Sequence, residues 1–225
     1  MTDETTNLPD ENAKPAATKV RPKSYAHAPR LPDDGGRVKL ASIFASDGPV
    51  MLEIGPGRGR FALELLAARP DWSVLALEIR RKLAFNLDER MGAKGYGARA
   101  RCFAEDAREA LPRIEGTGVV SAAAIHFPDP WWKKRHAKRM VVGDSLVDEL
   151  ARLVKPGGIV LVQTDVIERA EAYYPRFAEH PAFASKGTAE RPYVEESPFV
   201  PARSNREAMA ITDGLPVYRM VFERR

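Results

Sequence analysis

The sequence predicts an α/β protein built on a mostly parallel sheet with helices on both faces. From Val50 onward, short apolar runs alternate with stretches of helical periodicity, which is the pattern of consecutive βα units. A glycine-rich turn follows the first of these runs, and acidic residues stand at the ends of several others. Open parallel sheets bind ligands outside the carboxyl ends of their strands, so this arrangement indicates a ligand crevice along that edge.

The predicted elements follow one another in a regular order. Apolar runs predict strands over 50–54, 74–78, 100–103, 119–127, 159–163 and 217–222. Helical spacing of apolar residues predicts helices over 61–68, about 80–91, 146–154, and from beyond 166 to about 178. Strands and helices therefore alternate through most of the chain, as parallel strands joined by helical crossovers require.

The first 46 residues differ in composition from the rest of the chain. They contain five prolines, balanced charges and no sustained hydrophobic period, so they bury too little surface to offset the entropy of ordering. We expect a flexible N-terminal arm over residues 1–46 and a single domain over residues 47–225. The whole chain is 44% hydrophobic, which provides enough apolar material for a substantial core.

Membrane and metal sites are not expected from the sequence. No apolar stretch approaches the roughly 20 residues that cross a bilayer. The N-terminus carries Asp3 and Glu4 in place of the apolar segment of a signal peptide, so we expect a cytoplasmic protein. The four histidines show no metal-ligand spacing. Either a monomer or a homodimer is compatible with the sequence.

The glycine-rich turn at residues 53–59 favours one class of cofactor. A dinucleotide site expects its third glycine at the position that Arg60 holds, and a carboxylate such as Glu53 beside the turn would repel a pyrophosphate. The same carboxylate suits a cationic, amine-bearing ligand such as S-adenosylmethionine. Glycine lets the backbone turn tightly and lets a ligand approach closely, so Gly55 and Gly57 are candidate cofactor-binding residues together with Glu53.

Further acids stand at the ends of successive predicted strands. Glu78 closes the second strand, where a carboxylate can accept hydrogen bonds from both hydroxyls of a ribose. Asp106 follows the third strand, and Asp129 follows the fourth. Because the carboxyl ends of parallel strands meet at one edge, we expect these acids and Glu53 to converge on one crevice.

The segment after the fourth strand combines a rigid loop with a basic run. Two prolines bracket Asp129 and two tryptophans follow, which places a carboxylate and two aromatic faces in a stiff loop. The net charge of +4 is small, but a cluster of basic residues with no acid comes next: Lys133, Lys134, Arg135, His136, Lys138 and Arg139. Aromatic residues beside such a run are typical of RNA binding, so these residues are candidate RNA contacts.

These motifs resemble those of the bacterial tRNA (guanine-N7)-methyltransferases over about residues 50–225. The resemblance implies a class I methyltransferase, Rossmann-like fold with a seven-stranded sheet and an antiparallel C-terminal strand. It implies methyl transfer from S-adenosylmethionine to N7 of a tRNA guanosine, at position 46 of the variable loop. It also places the cofactor acids at Glu53, Glu78, Asp106 and Asp129, the last being the catalytic residue as well.

The resemblance also implies a set of substrate residues. The family's substrate lysine corresponds to Lys133, its aspartate after the fifth strand to Asp165, and its RNA-contacting stretch to residues 135–140. The family's Thr-x-x-Glu motif takes the form Ser204, Asn205, Arg206 and Glu207. Serine keeps the hydroxyl of threonine. The arginine- and glycine-rich bridge of the family is replaced here by residues 208–213, which contain neither residue type.

Three other functions remain open at this point. A methyltransferase of the same fold acting on another RNA, a protein or a small molecule would explain the crevice but not the aromatic and basic loop. A nicotinamide dehydrogenase would require the glycine that Arg60 replaces. A non-catalytic RNA-binding module would have kept the fold without the cofactor.

Overall fold

The computed structural model describes residues 24–32, 35–128 and 141–225. Its strands are β1 (Val50–Ile54), β2 (Ser73–Leu77), β3 (Ala100–Phe103), β4 (Val120–His126), β5 (Val154–Thr164), β6 (Phe183–Ser185) and β7 (Tyr218–Arg224). Its α-helices are α1 (Arg60–Ala68), α2 (Arg81–Ala93), α3 (Ala107–Ala110), α4 (Asp144–Leu153), α5 (Ile167–Ala178) and α6 (Asn205–Thr212). Short 3₁₀ turns cover Ser24–His27, Leu40–Ser42 and Leu111–Arg113.

The seven strands form one sheet in the order β3-β2-β1-β4-β5-β7-β6. Strands β1 to β5 pair in parallel, and β7 runs antiparallel to both β5 and β6. The predicted fold class, including the antiparallel C-terminal strand, is therefore confirmed. The sequence analysis missed β6, α3 and α6, because segments as short as these carry too little periodicity to separate them from loops.

Helices cover both faces of the sheet, and the apolar core is divided accordingly. Side chains of a strand alternate between faces, so Met51 packs with α1 and α2 while Leu52 and Ile54 pack with α4 and α5. Phe61 and Leu65 of α1 are fully buried on the first face. Burying a side chain of this size stabilises the folded state by about 1.5–3 kcal/mol. The two apolar clusters, one on each face, therefore hold the sheet rigid, including the carboxyl ends of its parallel strands.

The described part of residues 1–46 differs from the predicted flexible arm. Leu31, Val38 and Phe44 are buried in the core, and Val38 makes a parallel bridge to Ile114. The backbone N–H of Ala104 donates to the carbonyl of Pro29 at 2.7 Å, beside β3. These apolar side chains are scattered and form no periodic element, so the composition of the segment does not reveal that they pack against the domain. Residues 1–23 lie outside the described residues, so a flexible arm there stays a prediction.

No helix in the described ranges is long and apolar enough to span a bilayer. Those ranges also contain no group of three or more histidine, cysteine, aspartate or glutamate side chains arranged to hold a metal ion.

Candidate active site

A cavity of about 380 Å³ opens at the carboxyl ends of β1, β2 and β4. Its apolar wall comes from Ile54, Leu77, Ile79 and Ile125, and its polar wall includes Glu78, Asp106 and His126. Ile79 is 61% exposed, which is unusual for a large aliphatic side chain beside a strand end and leaves a flat apolar surface at the mouth. The size and the mixed lining suit a nucleoside-sized ligand.

The glycine-rich turn after β1 reaches this cavity through Gly55, whereas Gly57 does not line it. Gly55, Gly57 and Gly59 have φ values of 72°, 60° and 74°, in the left-handed region that side chains disfavour. A Cβ at Gly59 would lie 2.1 Å from Leu87 Cδ1, so that glycine allows α2 to pack against the turn. A Cβ at Gly55 would meet no atom within 4 Å. Gly55 therefore leaves space in which a ligand can approach the backbone.

Glu78 links this turn to the segment after β2. One carboxylate oxygen accepts the backbone N–H of Gly57 at 3.0 Å, and the other accepts the backbone N–H and Nε–H of Arg80, both at 3.0 Å. The side chain is only 2% exposed, whereas that of Arg80 is 59% exposed. Glu78 thus holds the glycine-rich turn in place. It also keeps a carboxylate in the cavity wall, where it can accept hydrogen bonds from the hydroxyl groups of a ribose.

Asp106 has a structural task as well as a position in the cavity wall. It is the N-cap of α3 and accepts the backbone N–H of Arg108 at 3.0 Å. The Arg108 guanidinium also donates to it, and this bond holds the pKa of the Asp106 carboxyl below its usual value. Asp106 is therefore ionised in the cavity wall, next to the guanidinium of Arg108.

Glu53 lies deeper than the sequence analysis expected. It is fully buried and lies beneath the cavity, with neither carboxylate oxygen hydrogen-bonded to another described residue. His126 is a polar neighbour, with its Nε2 3.7 Å from Glu53 Oε1. Burial, reinforced by the charge of Glu78, raises the pKa of the Glu53 carboxyl to about 8.

His126 lines the cavity, lies beside Glu53 and is held by Gln163. Its Nδ1 lies 2.8 Å from Gln163 Oε1, so Nδ1 carries the hydrogen and Nε2 turns its lone pair toward Glu53. Its ring packs against Phe61 with centroids 4.4 Å apart. Burial lowers the pKa of His126 to about 4. Glu53 and His126 therefore form a neutral pair near pH 7, because desolvation outweighs their mutual attraction.

The neutral state of Glu53 predicts a pH-dependent stability difference. In the unfolded chain this carboxyl ionises near its ordinary pKa of 4.5, whereas in the folded chain it keeps its proton to about 8. Folding is thus progressively disfavoured as the pH rises through that window. Glutamine does not ionise, so Glu53→Gln should remove this pH dependence. The free energy of unfolding of the variant minus that of the parent chain should be larger near pH 8 than near pH 4, by about 1 kcal/mol or more. Urea unfolding at both pH values measures this, and an equal difference at both would contradict it.

A second cavity of about 420 Å³ adjoins the first. The two cavities share one wall, which consists of Gly55, Arg80, His126, Phe127 and Pro128. The other residues of the second cavity come from the turn after β1, the end of β5 and the start of α6, and include the predicted substrate residues Asp165, Ser204, Asn205 and Arg206. A ligand in each cavity would therefore face the other across the end of β4.

The predicted substrate residues in the second cavity are already held by one another. The Arg206 guanidinium donates two hydrogen bonds to Asp165 Oδ2, one of them at 2.9 Å. Asn205 Oδ1 accepts the backbone N–H of Arg60 at 3.4 Å, which ties α6 to the glycine-rich turn. Asp165 and Arg206 thus present an acceptor and a donor side by side at the cavity wall.

Glu207 does not line this cavity, although it was predicted to bind substrate. It is 1% exposed and forms a capping box with Ser204: the Glu207 backbone N–H donates to Ser204 Oγ at 3.1 Å, and the Ser204 N–H donates to Glu207 Oε2 at 3.4 Å. Its other oxygen accepts two bonds from the Arg219 guanidinium, at 3.1 and 2.9 Å. Glu207 therefore builds the start of α6, while its substrate role stays a prediction.

The residues of the first cavity fit S-adenosylmethionine. The adenosyl group requires an apolar surface and acceptors for its hydroxyls, which Ile79 and Glu78 provide. The methionine end carries a sulfonium and an ammonium group, and the open space beside Gly55 gives that end access to the backbone. The carboxylates of Glu78 and Asp106 in the cavity wall are the groups of this cavity that can face those positive charges.

Comparison with known proteins assigns the chain to a family. The family described as "Putative methyltransferase" matches residues 47–220. A tRNA (guanine-N(7)-)-methyltransferase of Nostoc sp. (strain PCC 7120) is 38% identical over 178 residues, covering 78% of this chain and 80% of the relative. The protein of the same name from Thermosynechococcus vestitus is 39% identical over 176 residues, again covering 78% and 80%. This chain belongs to the tRNA (guanine-N7)-methyltransferase family. Its membership confirms the predicted methyltransferase activity and S-adenosylmethionine as the cofactor.

Solved structures agree with the fold of this methyltransferase. The 16S rRNA methyltransferase KamB gives a TM-score of 0.56 at 16% identity, over 83% of this chain and 91% of that one. TrmN from Thermus thermophilus gives 0.54 at 23% identity, over 83% of this chain and 47% of that one. At these identities the likeness concerns the fold alone.

Several predicted site residues of the methyltransferase fall outside the described residues. They are Asp129, Lys133, Lys134, Arg135, His136, Lys138 and Arg139. The chain leaves the described region at Pro128 and re-enters it at Val141, and both residues line the first cavity. Phe127, just before, has a φ of 46°, which few non-glycine residues adopt and which marks a turn away from β4.

Sequence reasoning missed two features of the methyltransferase site. Glu105, 4% exposed, accepts Arg30 Nε–H at 2.9 Å and the Leu31 backbone N–H at 3.1 Å, and so anchors the N-terminal segment at the cavity. No sequence pattern links partners 75 residues apart. His126 was considered only as a metal ligand, although its place at the end of β4, in line with the acids, was a usable signal.

Proposed function

We propose that this methyltransferase transfers a methyl group from S-adenosylmethionine to N7 of a guanosine in tRNA, in the variable loop. The observation that carries the proposal is its 35–39% identity to proteins named tRNA (guanine-N(7)-)-methyltransferase. Two cavities that share a wall support it further, because methyl transfer requires two ligands held side by side.

The chemistry of this transfer depends on position more than on proton movement. The cofactor supplies a methyl group bound to a positively charged sulfur. The N7 lone pair of guanine is available at neutral pH, so the N7–carbon bond can form as the sulfur–carbon bond breaks without a strong general base. Alignment of two bound reactants can lower the barrier by about 7–11 kcal/mol. The residues around the two cavities therefore need chiefly to hold both ligands in line.

Asp165 and Arg206 are suited to hold the guanine. The Watson–Crick edge of guanine carries N–H donors that a carboxylate such as Asp165 can accept, and N7 lies on the opposite edge of the purine. Methylation places positive charge on the purine, and a nearby carboxylate stabilises that charge as it develops. Arg206 donates to Asp165 Oδ2 and so orients the Asp165 side chain at the cavity wall.

Asp129→Ala is expected to depress turnover on tRNA by about a hundredfold or more while leaving the fold intact. Asp129 follows β4 and, by the family resemblance, contacts the cofactor and orients the reacting guanine. Removing one group that stabilises the transition state typically costs that much. Single-turnover methylation, with thermal unfolding as the control, measures the change. Near-normal turnover would exclude Asp129 as the catalytic residue.

The target nucleotide can be mapped directly. Borohydride reduces 7-methylguanosine, which then loses its base, and aniline cleaves the RNA strand at that nucleotide. One cleavage in the variable loop is expected, and none after its guanosine is replaced by adenosine. Cleavage elsewhere in the tRNA would contradict the proposed position.

The matched range of the family, residues 47–220, supports residues 47–225 as the catalytic domain, and Leu31, Val38 and Phe44 before it complete the core of that domain. With tRNA as its substrate, the proposed activity belongs to the cytoplasm.

A further inference from the structure

A basic groove of about 480 Å³ adjoins the second cavity on the surface formed by α1 and α2. We call it the α1–α2 groove. Its charged lining consists of Arg58, Arg60, Arg90, Lys94 and a single acid, Glu64. All four basic residues are exposed. The groove therefore carries an excess of positive charge that neither cavity described above accounts for.

The acid of the α1–α2 groove cannot neutralise this charge. Glu64 Oε1 accepts Arg60 Nε–H at 2.6 Å, and its other oxygen accepts the backbone N–H of Arg203 at 2.9 Å. Arg90 donates to the carbonyl of Arg58 at 2.6 Å, which leaves its charge uncompensated. Arg58 and Lys94 form no ion pair with any described residue. At least three cations of the groove thus face solvent without an acidic partner in the described ranges.

The cations come from separate elements, so the charge is not the solvated face of one helix. Arg58 belongs to the glycine-rich turn, Arg60 begins α1, and Arg90 and Lys94 stand at the end of α2. Bringing like charges together from three elements costs free energy unless an anionic ligand compensates it. Tyr96, half-buried in the same lining, adds an aromatic wall, with the Arg99 guanidinium 4.8 Å from its ring centroid. Cations interleaved with an aromatic ring are typical of sites for nucleic-acid strands.

The α1–α2 groove is continuous with the proposed substrate site. Arg58 and Asn205 line both the groove and the second cavity, so a strand whose guanosine occupies the cavity can extend directly into the groove. The basic loop at 133–139 follows β4, whereas the groove lies on α1 and α2. The groove therefore draws its cations from other parts of the sequence than the basic run at 133–139.

We propose that the α1–α2 groove binds the sugar-phosphate backbone of the RNA substrate next to the methylated guanosine. The proposal rests on the proposed function, because it takes tRNA as the ligand. It adds a second RNA-binding surface to the basic loop. Phosphate contacts of this kind give affinity and register without reading sequence, so the groove positions the tRNA while the second cavity selects the base.

Lys94→Glu tests the groove, with Lys155→Glu as the matched control. Both lysines are exposed, and Lys155 stands near the amino end of β5, opposite the strand ends that carry the site. We expect Lys94→Glu to raise the Kd for tRNA about fivefold or more and to lower the slope of log K against log salt by about 1. Adding Arg60→Gln should increase both effects. Lys155→Glu should leave tRNA affinity within about twofold of the parent chain.

The outcomes separate the groove from the proposed function. Binding of S-adenosylmethionine should be unchanged in all these variants, which shows that the fold is intact. If the parent chain methylates tRNA but Lys94→Glu and Lys155→Glu bind tRNA equally well, the proposal that the groove binds RNA is wrong and the proposed function stands. A parent chain that neither binds nor methylates tRNA would overturn the proposed function and the groove with it. Polyuridylate should compete with tRNA for the parent chain more strongly than polyglutamate, and the reverse order would indicate an acidic protein as the partner.

Discussion

Glu78→Gln is expected to weaken the binding of S-adenosylmethionine about tenfold or more. The carboxylate accepts the N–H groups of Gly57 and Arg80 while only 2% exposed, and glutamine replaces one acceptor oxygen with a donor. A hydrogen bond to a charged group contributes about 1.5–3 kcal/mol, and about 1.4 kcal/mol corresponds to a tenfold change in affinity. The glycine-rich turn would lose its support, and the ribose would lose an acceptor.

Titration calorimetry with S-adenosylmethionine measures this effect. Glu89→Gln offers a matched control, because Glu89 is an exposed glutamate on α2 that does not line the cavity. The control should bind the cofactor as the parent chain does. Unchanged affinity in Glu78→Gln would show that the first cavity is not the cofactor site.

Glu207→Ala is expected to destabilise the fold by about 3 kcal/mol. The substitution removes one arm of the capping box and leaves the Arg219 guanidinium, only 12% exposed, without its carboxylate. Removing one partner of a buried ion pair typically costs about 3–5 kcal/mol. In a chain of this size the melting temperature should fall by about 6–12 °C. Ser204→Ala, which removes only the N-cap, should cost about 1 kcal/mol.

This prediction separates a structural role of Glu207 from a substrate role. Thermal unfolding and the KM for tRNA are measured on the same preparations. A substrate role alone would raise the KM and leave the melting temperature unchanged, which would contradict the capping-box account. Glu207→Gln keeps acceptor capacity toward Arg219 and should recover part of the lost stability.

The convergence of the candidate cofactor residues could be predicted from the sequence because parallel strands end at one edge. Gly55, Glu78 and Asp106 all lie in the wall of one cavity, although they are far apart in the chain. That result depends only on identifying three strands and the one to three residues that follow each. The alternation of apolar runs and helical periods supplies both.

The burial of individual side chains and the partners that they contact could not be predicted in the same way. Glu53 lies beside His126 in the interior, because both residues lie on the sheet face that packs on α1. Glu207 pairs with Arg219, a contact set by the register of β7. Such contacts depend on which side chains meet across elements, and no local sequence pattern carries that information.

The packing of the N-terminal segment also could not be predicted from local sequence. Its prolines and balanced charges predict disorder, yet Leu31, Val38 and Phe44 fill the core beside β3 and α3. Glu105 then fixes the segment through Arg30. Tertiary burial here outweighs local composition, because a few well-placed apolar side chains offset the ordering entropy of a short segment.

The formation of 7-methylguanosine tests the central claim most directly. The purified chain is incubated with S-adenosylmethionine and unmodified tRNA, the RNA is digested to nucleosides, and the products are identified by mass spectrometry. We expect 7-methylguanosine from the parent chain and a much reduced amount from Glu78→Gln at limiting cofactor. Methylation of another nucleoside, or none despite measured cofactor binding, would contradict the assignment of tRNA guanosine N7 as the methyl acceptor.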